Sequence, residues 1–198
     1  MDFHRFIVFY GYNWTENWSF KSEVELEHNI VGGSKNDSYN GETIKYAGEL
    51  ELEQAFINYH SDKFGFQGGV ILPTIGLLNE YHEPPLFLSV ERPLYNKYII
   101  PTTWFGNGLA FYCKISNINY RIVLMEDLIG SEIGNGIRNA RGKGYKTSGY
   151  DLLKNLSIAY SGIPGIRLAG SMTMNNAPVS IDEKGNVSSS IGVTLIEV

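Results

Sequence analysis

The feature that most narrows the folds open to this chain is an alternation of period two in which acidic residues stand opposite apolar ones. Over residues 19–27, Phe20, Ser22, Val24 and Leu26 alternate with Lys21, Glu23, Glu25 and Glu27, and over residues 46–59 Leu50 and Leu52 alternate with Glu49, Glu51 and Glu53. Successive side chains of a strand point to opposite faces, so each segment makes a ribbon with one greasy and one charged side. Phe64, Phe66 and Val70 oppose Gly65, Gln67 and Gly69; Leu109, Phe111, Cys113 and Ile115 oppose Ala110, Tyr112, Lys114 and Ser116. Further along, Tyr120, Ile122 and Leu124 oppose Asn119 and Arg121, and Leu156, Ile158 and Tyr160 oppose Asn155, Ser157 and Ala159. Leu168, Met172 and Met174 then oppose Arg167, Ala169, Ser171 and Thr173, and Ile191, Val193 and Leu195 oppose Gly192 and Thr194. With the aromatic and β-branched residues 3–11, the count comes to about nine strands. Alternation lapses at residues 54–58, where a bulge and a change of depth both remain open.

The connections sort themselves. Short ones at residues 12–17, 60–63, 117–119 and 161–165 alternate with long ones at 29–43, 72–107, 127–149 and 175–187. All short connections therefore fall at one end of the sheet, which predicts an antiparallel up-and-down meander, since Greek-key crossings would mix the lengths. The loop at 72–107 holds five of the seven prolines, Pro73, Pro84, Pro85, Pro93 and Pro101, which bar a central strand. It is also rich in Leu, Ile, Phe, Tyr and Trp, so it reads as an ordered loop packed inside something. The Gly-rich, basic loop at 127–149, with Arg138, Arg141, Lys143 and Lys146, reads as a solvated outer loop.

Composition sets outer bounds. The 198 residues carry a net charge of -5 with 43% hydrophobic and 13% aromatic content. No apolar run is long enough for a transmembrane helix, whereas a membrane β-barrel, which uses every second residue for lipid, stays open. The mild acidity and lack of a basic stripe argue against nucleic acid. The single Cys113 forms no intrachain disulfide and reads as a small apolar side chain. The first residues show no basic leader or small-residue cleavage site.

Strand lengths match those of tilted transmembrane β-strands. A lumen lined by Lys21, Glu23, Glu25, Glu27, Glu49, Glu51, Glu53, Lys114, Arg121 and Arg167 is one reading of the polar face; a solvated outer face is the other. Trp14, Trp18, Tyr59 and Tyr160 fall near the short-turn ends, where an aromatic girdle at the lipid interface belongs, and this favours the membrane. Nine strands cannot close a single-chain bacterial barrel, which uses an even number, with about sixteen or more where an aqueous channel is left. The expectation is a single all-β domain over residues 1–198, truncated at both ends and about half of a barrel.

The wording of the chain also carries a resemblance. Phe3-His4-Arg5-Phe6, residues 22–28 (SEVELEH), 48–57 (GELELEQAFI), 77–85 (LLNEYHEPP), Val90-Glu91-Arg92-Pro93 and 99–104 (IIPTTW) together resemble porins of the phosphate-selective porin O and P type, closest to a branch found in Bacteroidetes-like bacteria. The resemblance covers most of residues 3–175. It implies a sixteen-stranded outer-membrane barrel, commonly a homotrimer, whose long loop folds into the lumen. The family selects phosphate by lysine and arginine ladders, whereas the polar face here is rich in glutamate, so phosphate selection is not carried over.

In the long loop, Glu80, His82, Glu83, Glu91, Arg92 and Lys97 would surround a constriction, where rings of charge set ion preference, or would tie the loop to the wall. Glu80, His82 and Glu83 lack the spacing of a metal site, and residues 134–142 fit no phosphate-binding loop. No catalytic constellation and no cofactor motif is found. The expected function is a passive channel for small hydrophilic solutes or ions in the outer membrane. The rivals are a soluble β-barrel or sandwich binding a ligand such as carbohydrate, and a plugged, non-channel outer-membrane barrel.

Overall fold

A computed structural model describes residues 5–27, 35–39, 42–46, 49–76, 79, 93–134, 136–146 and 148–198. The strands are β1 (Arg5–Asn13), β2 (Trp18–Glu27), β3 (Lys35–Tyr39), β4 (Glu42–Tyr46), β5 (Glu49–His60) and β6 (Phe64–Ile71). They continue as β7 (Gly106–Ile115), β8 (Ile118–Met125), β9 (Leu153–Ile163), β10 (Ile166–Ile181) and β11 (Val187–Glu197). Nine of them form one open antiparallel sheet in the order β1-β2-β5-β6-β7-β8-β9-β10-β11, and β3 pairs with β4 in a separate hairpin. Helix is sparse among the described residues: five residues at Leu94–Tyr98, a 3-10 turn at Gly130–Glu132, and helical backbone at Gly76 and Asn79. The meander expected from the sorted connections is therefore present.

Three local expectations need correction. Residues 29–43, read as a polar loop, include β3, which pairs residue for residue with the whole of β4, from Tyr39 opposite Glu42 to Lys35 opposite Tyr46. Residues 175–181, also read as loop, extend β10 to sixteen residues, and the turn closes tightly at Asp182–Asn186. There Asp182 accepts the Lys184 and Asn186 amides at 2.9 and 2.8 Å, an Asx-type turn that the polar composition had hidden. The lapse at residues 54–58 resolves as a bulge, since the β2–β5 register shifts between Glu23 and Val24 and leaves Glu53 as the extra residue.

The two faces of the sheet differ in the sense that matters most. Leu50, Phe111, Ile158 and Leu168 are 58%, 48%, 44% and 61% exposed, while Glu23 and Glu53 on the other face are 1% and 2% exposed. Strand β9 shows the rule residue by residue: Leu153, Asn155, Ser157 and Ala159 are buried, and Lys154, Leu156, Ile158 and Tyr160 are exposed. We call the first face inner and the second outer. At the edges the rule weakens. The last strand turns Val193 and Leu195 inward against the buried cluster, the reverse of the apolar-out assignment expected for it. On β1, Ile7 and Phe9 share the inner side, opposite Glu25 and Glu23.

Near the short-turn end the outer face is a mat of rings. Trp18 meets Tyr59 at 5.1 Å and Phe66 at 5.4 Å edge-on, Tyr59 stacks on Phe66 at 5.4 Å, and Phe64 stacks on Phe111 at 6.2 Å. Such pairs add to the area they cover, and their positions follow from cross-strand register. On the inner side, Gly65 leaves room for the Tyr112 ring directly opposite, where any Cβ would collide with it. That ring donates its hydroxyl to Asn58 Oδ1 at 2.9 Å and lies parallel to His60.

Candidate functional site

The inner face is built in two parts. At the long-connection end, Ile71, Met125, Leu153 and Ala177 of the strands meet Ile75, Ile100, Trp104, Leu128, Ile137 and Ala140 of the connections in one buried apolar cluster. Polar groups hold these connections in place. Asn79, fully buried, donates to the Pro73 carbonyl at 2.8 Å and accepts the Trp104 amide at 2.9 Å, clamping the two stems of the long loop together. Arg141 is buried and donates to the carbonyls of Thr102 (3.3 Å), Thr103 (2.6 Å) and Arg138 (2.8 Å). Thr103 takes a left-handed φ of 57° there, an uncommon conformation for a β-branched residue.

Carboxylates anchor the second loop. Glu126 accepts the Asn107 and Gly144 amides at 3.1 and 2.8 Å, and Asp127 accepts from Tyr150 N at 2.6 Å and Asn175 Nδ2 at 2.9 Å. Lys143 pairs with Glu51 of β5. The loop at 127–149 is thus packed against the wall, not the solvated outer loop expected from its glycines and basic residues. Buried donors and acceptors must find partners, and Arg141 and Asp127 supply them to a stretch with few strand bonds of its own.

The stem of the long loop crosses the inner face. The Thr74 amide donates to Asn155 Oδ1 and Asn155 Nδ2 to the Thr74 carbonyl, both at 3.0 Å, while Arg121 Nη2 donates to the Leu72 carbonyl at 3.2 Å. Between this crossing and the short-turn end lies a hollow of about 530 Å³, bordered by Lys114, Arg121, Arg167, Ser157, Ser171 and Glu197. A smaller hollow of about 190 Å³ sits beside it between Lys21, Gln54, Gln67 and Arg121. The larger one exists because the register sets small residues in two adjacent rows. One row runs Tyr112, Arg121, Ser157, Ser171, Glu197 across β7 to β11; the next runs Lys114, Asn119, Ala159, Ala169.

The expected site residues fall into distinct places. Lys114, Arg121 and Arg167 gather at the larger hollow, and Lys21 joins Arg121 at the smaller. Glu23, Glu25 and Glu53 share the inner side but are buried, so they are not bare to water there. Glu25 and Glu51 are register partners, and so are Glu27 and Glu49, whose side chains lie outside the description. Like charges placed directly opposite cost stability unless countered, and Lys143 counters Glu51. Glu80, His82, Glu83, Glu91 and Arg92 lie outside the described residues, as does the side chain of Lys97, so the constriction they were expected to form is not described. Trp14, Trp18 and Tyr160 are exposed near the short turns, with Tyr59 half-buried among the other rings.

Sequence reasoning passed over Glu126, Asp127, Asn155, Ser171 and Glu197. Asn155 and Ser171 carry a readable signal, since each has the inward parity of its strand, whereas Glu197 shares the parity of the apolar Val193 and Leu195 and alternation alone would have turned it outward. Glu126 and Asp127 sit just past a strand end, where parity says nothing. No group of His, Cys, Asp and Glu able to hold a metal occurs among the described residues. No described helix is long and apolar enough to cross a membrane, which says nothing of a β-barrel.

An uncharacterized protein of Aquifex aeolicus (strain VF5) is 35% identical to the chain over 175 residues, 88% of this chain and 37% of that protein. The chain therefore spans well under half the length of this relative. No protein-family model and no solved structure matches it.

Proposed function

We propose that the chain is part of an outer-membrane β-barrel that serves as a passive diffusion channel for small hydrophilic solutes or ions, narrowed by the loop at 72–107. The observation that carries this reading is the inverted sheet, with Leu50, Phe111, Ile158 and Leu168 outward and Glu23, Glu53, Asn155 and Thr173 inward and buried. A water-soluble sheet spends its apolar face on a core; contiguous exposed apolar area of this extent belongs against lipid or another apolar surface. The ring mat around Trp18, Tyr59 and Phe66 supports the same reading, because aromatic girdles sit where hydrocarbon meets headgroups. A ligand-binding soluble barrel leaves that face without a purpose.

The open edges at β1 and β11 require partners in lipid, where each unpaired backbone group costs several kcal/mol. Further strands of a longer parent, sixteen in all and assembled as a homotrimer, satisfy them, and the Aquifex relative has the length for it. Lys21, Lys114, Arg121 and Arg167 then face the lumen, and the solutes are polar molecules with no cofactor required. Transport proteins of this kind perform no chemistry, so the chain is read as a non-enzyme.

The apolar cluster around Trp104 and Ile75 favours a second reading, a barrel plugged at its loop end that conducts nothing. The full-length parent, purified in detergent and added to planar bilayers, decides between them. Stepwise conductance in KCl supports the channel, and stable insertion without current supports the plug. A parent that stays monodisperse in plain buffer with no detergent overturns both.

A further inference from the structure

We infer that the larger inner hollow is a binding site for a small zwitterion of the amino-acid or dipeptide class, with its carboxylate at Lys114, Arg121 and Arg167 and its ammonium at Glu197 and Ser171. The inference rests on the channel reading for its place along a passage, but not for the binding itself. The wall of the hollow is chemically two-sided. Arg121 and Glu197 stand in one cross-strand row, with only Ser157 and Ser171 between them. Three strand spacings separate their backbones, about 14 Å of arc. Two long charged side chains thus face each other over a floor of hydroxyls, and the next row toward the turns offers only Asn119, Ala159 and Ala169 beside Lys114.

Two atoms point to the missing complement. Glu197 Oε2 and Ser171 Oγ are buried and have no hydrogen-bond partner among the described residues, although their residues are register partners on adjacent strands. A buried carboxylate oxygen without a donor is costly, and a site that leaves one is completed by a donor from elsewhere. An ammonium group supplies up to three. At the opposite wall Arg121 borders the hollow and donates to the Leu72 carbonyl at 3.2 Å, which ties it to the stem of the long loop. A volume of about 530 Å³ lies within the range of small-molecule sites and far exceeds one atomic ion or one phosphate. Glu197 also repels a second negative charge, so an inorganic anion satisfies only one wall.

The test uses the full-length parent in detergent micelles, with alanylalanine as probe and saturation-transfer NMR as readout, alongside single-channel current in planar bilayers. Alanylalanine is expected to bind saturably, and Glu197→Gln and Arg167→Gln each to weaken it about tenfold, as loss of a charged hydrogen-bond partner does. Ser171→Ala, too small a change to threaten folding, is expected to weaken it less, and Lys63→Gln, in a turn outside the hollow, not at all. Binding of N-acetylalaninamide equal to that of alanylalanine overturns the proposal. So does inorganic phosphate binding more tightly than the dipeptide with Glu197→Gln without effect, which marks an anion site only. A parent that conducts but shows neither dipeptide binding nor block loses the site and keeps the channel. One that binds dipeptide but never conducts keeps the site and loses the channel.

Discussion

The two ends of the inner face solve opposite problems with the same strands. At the long-connection end β6, β8, β9 and β10 present Ile71, Met125, Leu153 and Ala177, and loops fold down to bury them around Trp104. At the short-turn end the same strands present Arg121, Ser157, Ala159, Ala169 and Ser171, and the space above them stays open. The outer face hardly changes between the ends except for the rings near the turns. The difference lies in the inward parity positions, which vary from apolar to charged along the same strands. Packing is invested at the loop end, where irregular backbone needs fixed partners. Near the turns the hydrogen-bonded ladder and the outer rings hold the wall, and the hollow costs the fold little.

Four experiments press on that contrast. The largest effect is expected from Trp104→Ala, which removes a buried indole from the loop-end cluster and should cost about 3–5 kcal/mol of stability. Denaturant unfolding of the parent in lipid vesicles, followed by the fluorescence of Trp14 and Trp18, measures it; a loss under a third of that would mean the cluster is not a true core. Next comes Arg141→Ala, which strips three carbonyls of their buried donor and should cost about 1.5–3 kcal/mol. Faster proteolysis within residues 127–149 reports it, and unchanged cleavage would show the two loops to be independent.

At the other end Ser157→Leu should change stability by less than about 1 kcal/mol, because it enters open space instead of a packed core, while abolishing solute binding in the hollow. A large stability loss would mean the space is not open.

The smallest effect concerns pH at the loop end. Backbone donation from Asn176 at 2.9 Å and the neighbouring Lys154 hold the Asp151 carboxyl below its ordinary 3.8. The amides of Asn186, Lys184 and Gly185 lower Asp182 likewise. A depressed carboxyl stabilises the fold at every pH above its unfolded value and loses that contribution as pH falls through the folded one. Amide-exchange protection factors in the Asp182–Asn186 turn, taken against the intrinsic rate at each pH, should therefore be flat from neutrality to about pH 4 and fall only below it. A loss of protection starting near pH 6 would contradict the assignment.

Much of the fold was legible because a strand's side-chain period is two and its consequences are local. The alternation of Phe20 to Leu26 against Lys21 to Glu27, and the sorted connections, led directly to a nine-stranded antiparallel meander. The site was half legible. Lys114, Arg121 and Arg167 were recognisable as inward cations, but Glu197 was not, since β11 turns its apolar side inward and inverts the rule that placed the others. In β11 the buried cluster, against which Val193 and Leu195 pack, decides which side faces in. The packed state of the loop at 127–149 was illegible for another reason: Arg141 meets Thr103, and Asp127 meets Asn175, across 38 and 48 residues of sequence.

The sequence by itself determined which side chains of a strand share a face and that the central strands each carry one mostly apolar face, since both follow from φ/ψ geometry acting between neighbours. Only the tertiary structure decided which face is buried, which carboxylates are covered, and that two serines and two alanines leave a hollow between opposite charges. Those outcomes depend on register across five strands and on loops returning to the wall, and such long-range placements have no local signature.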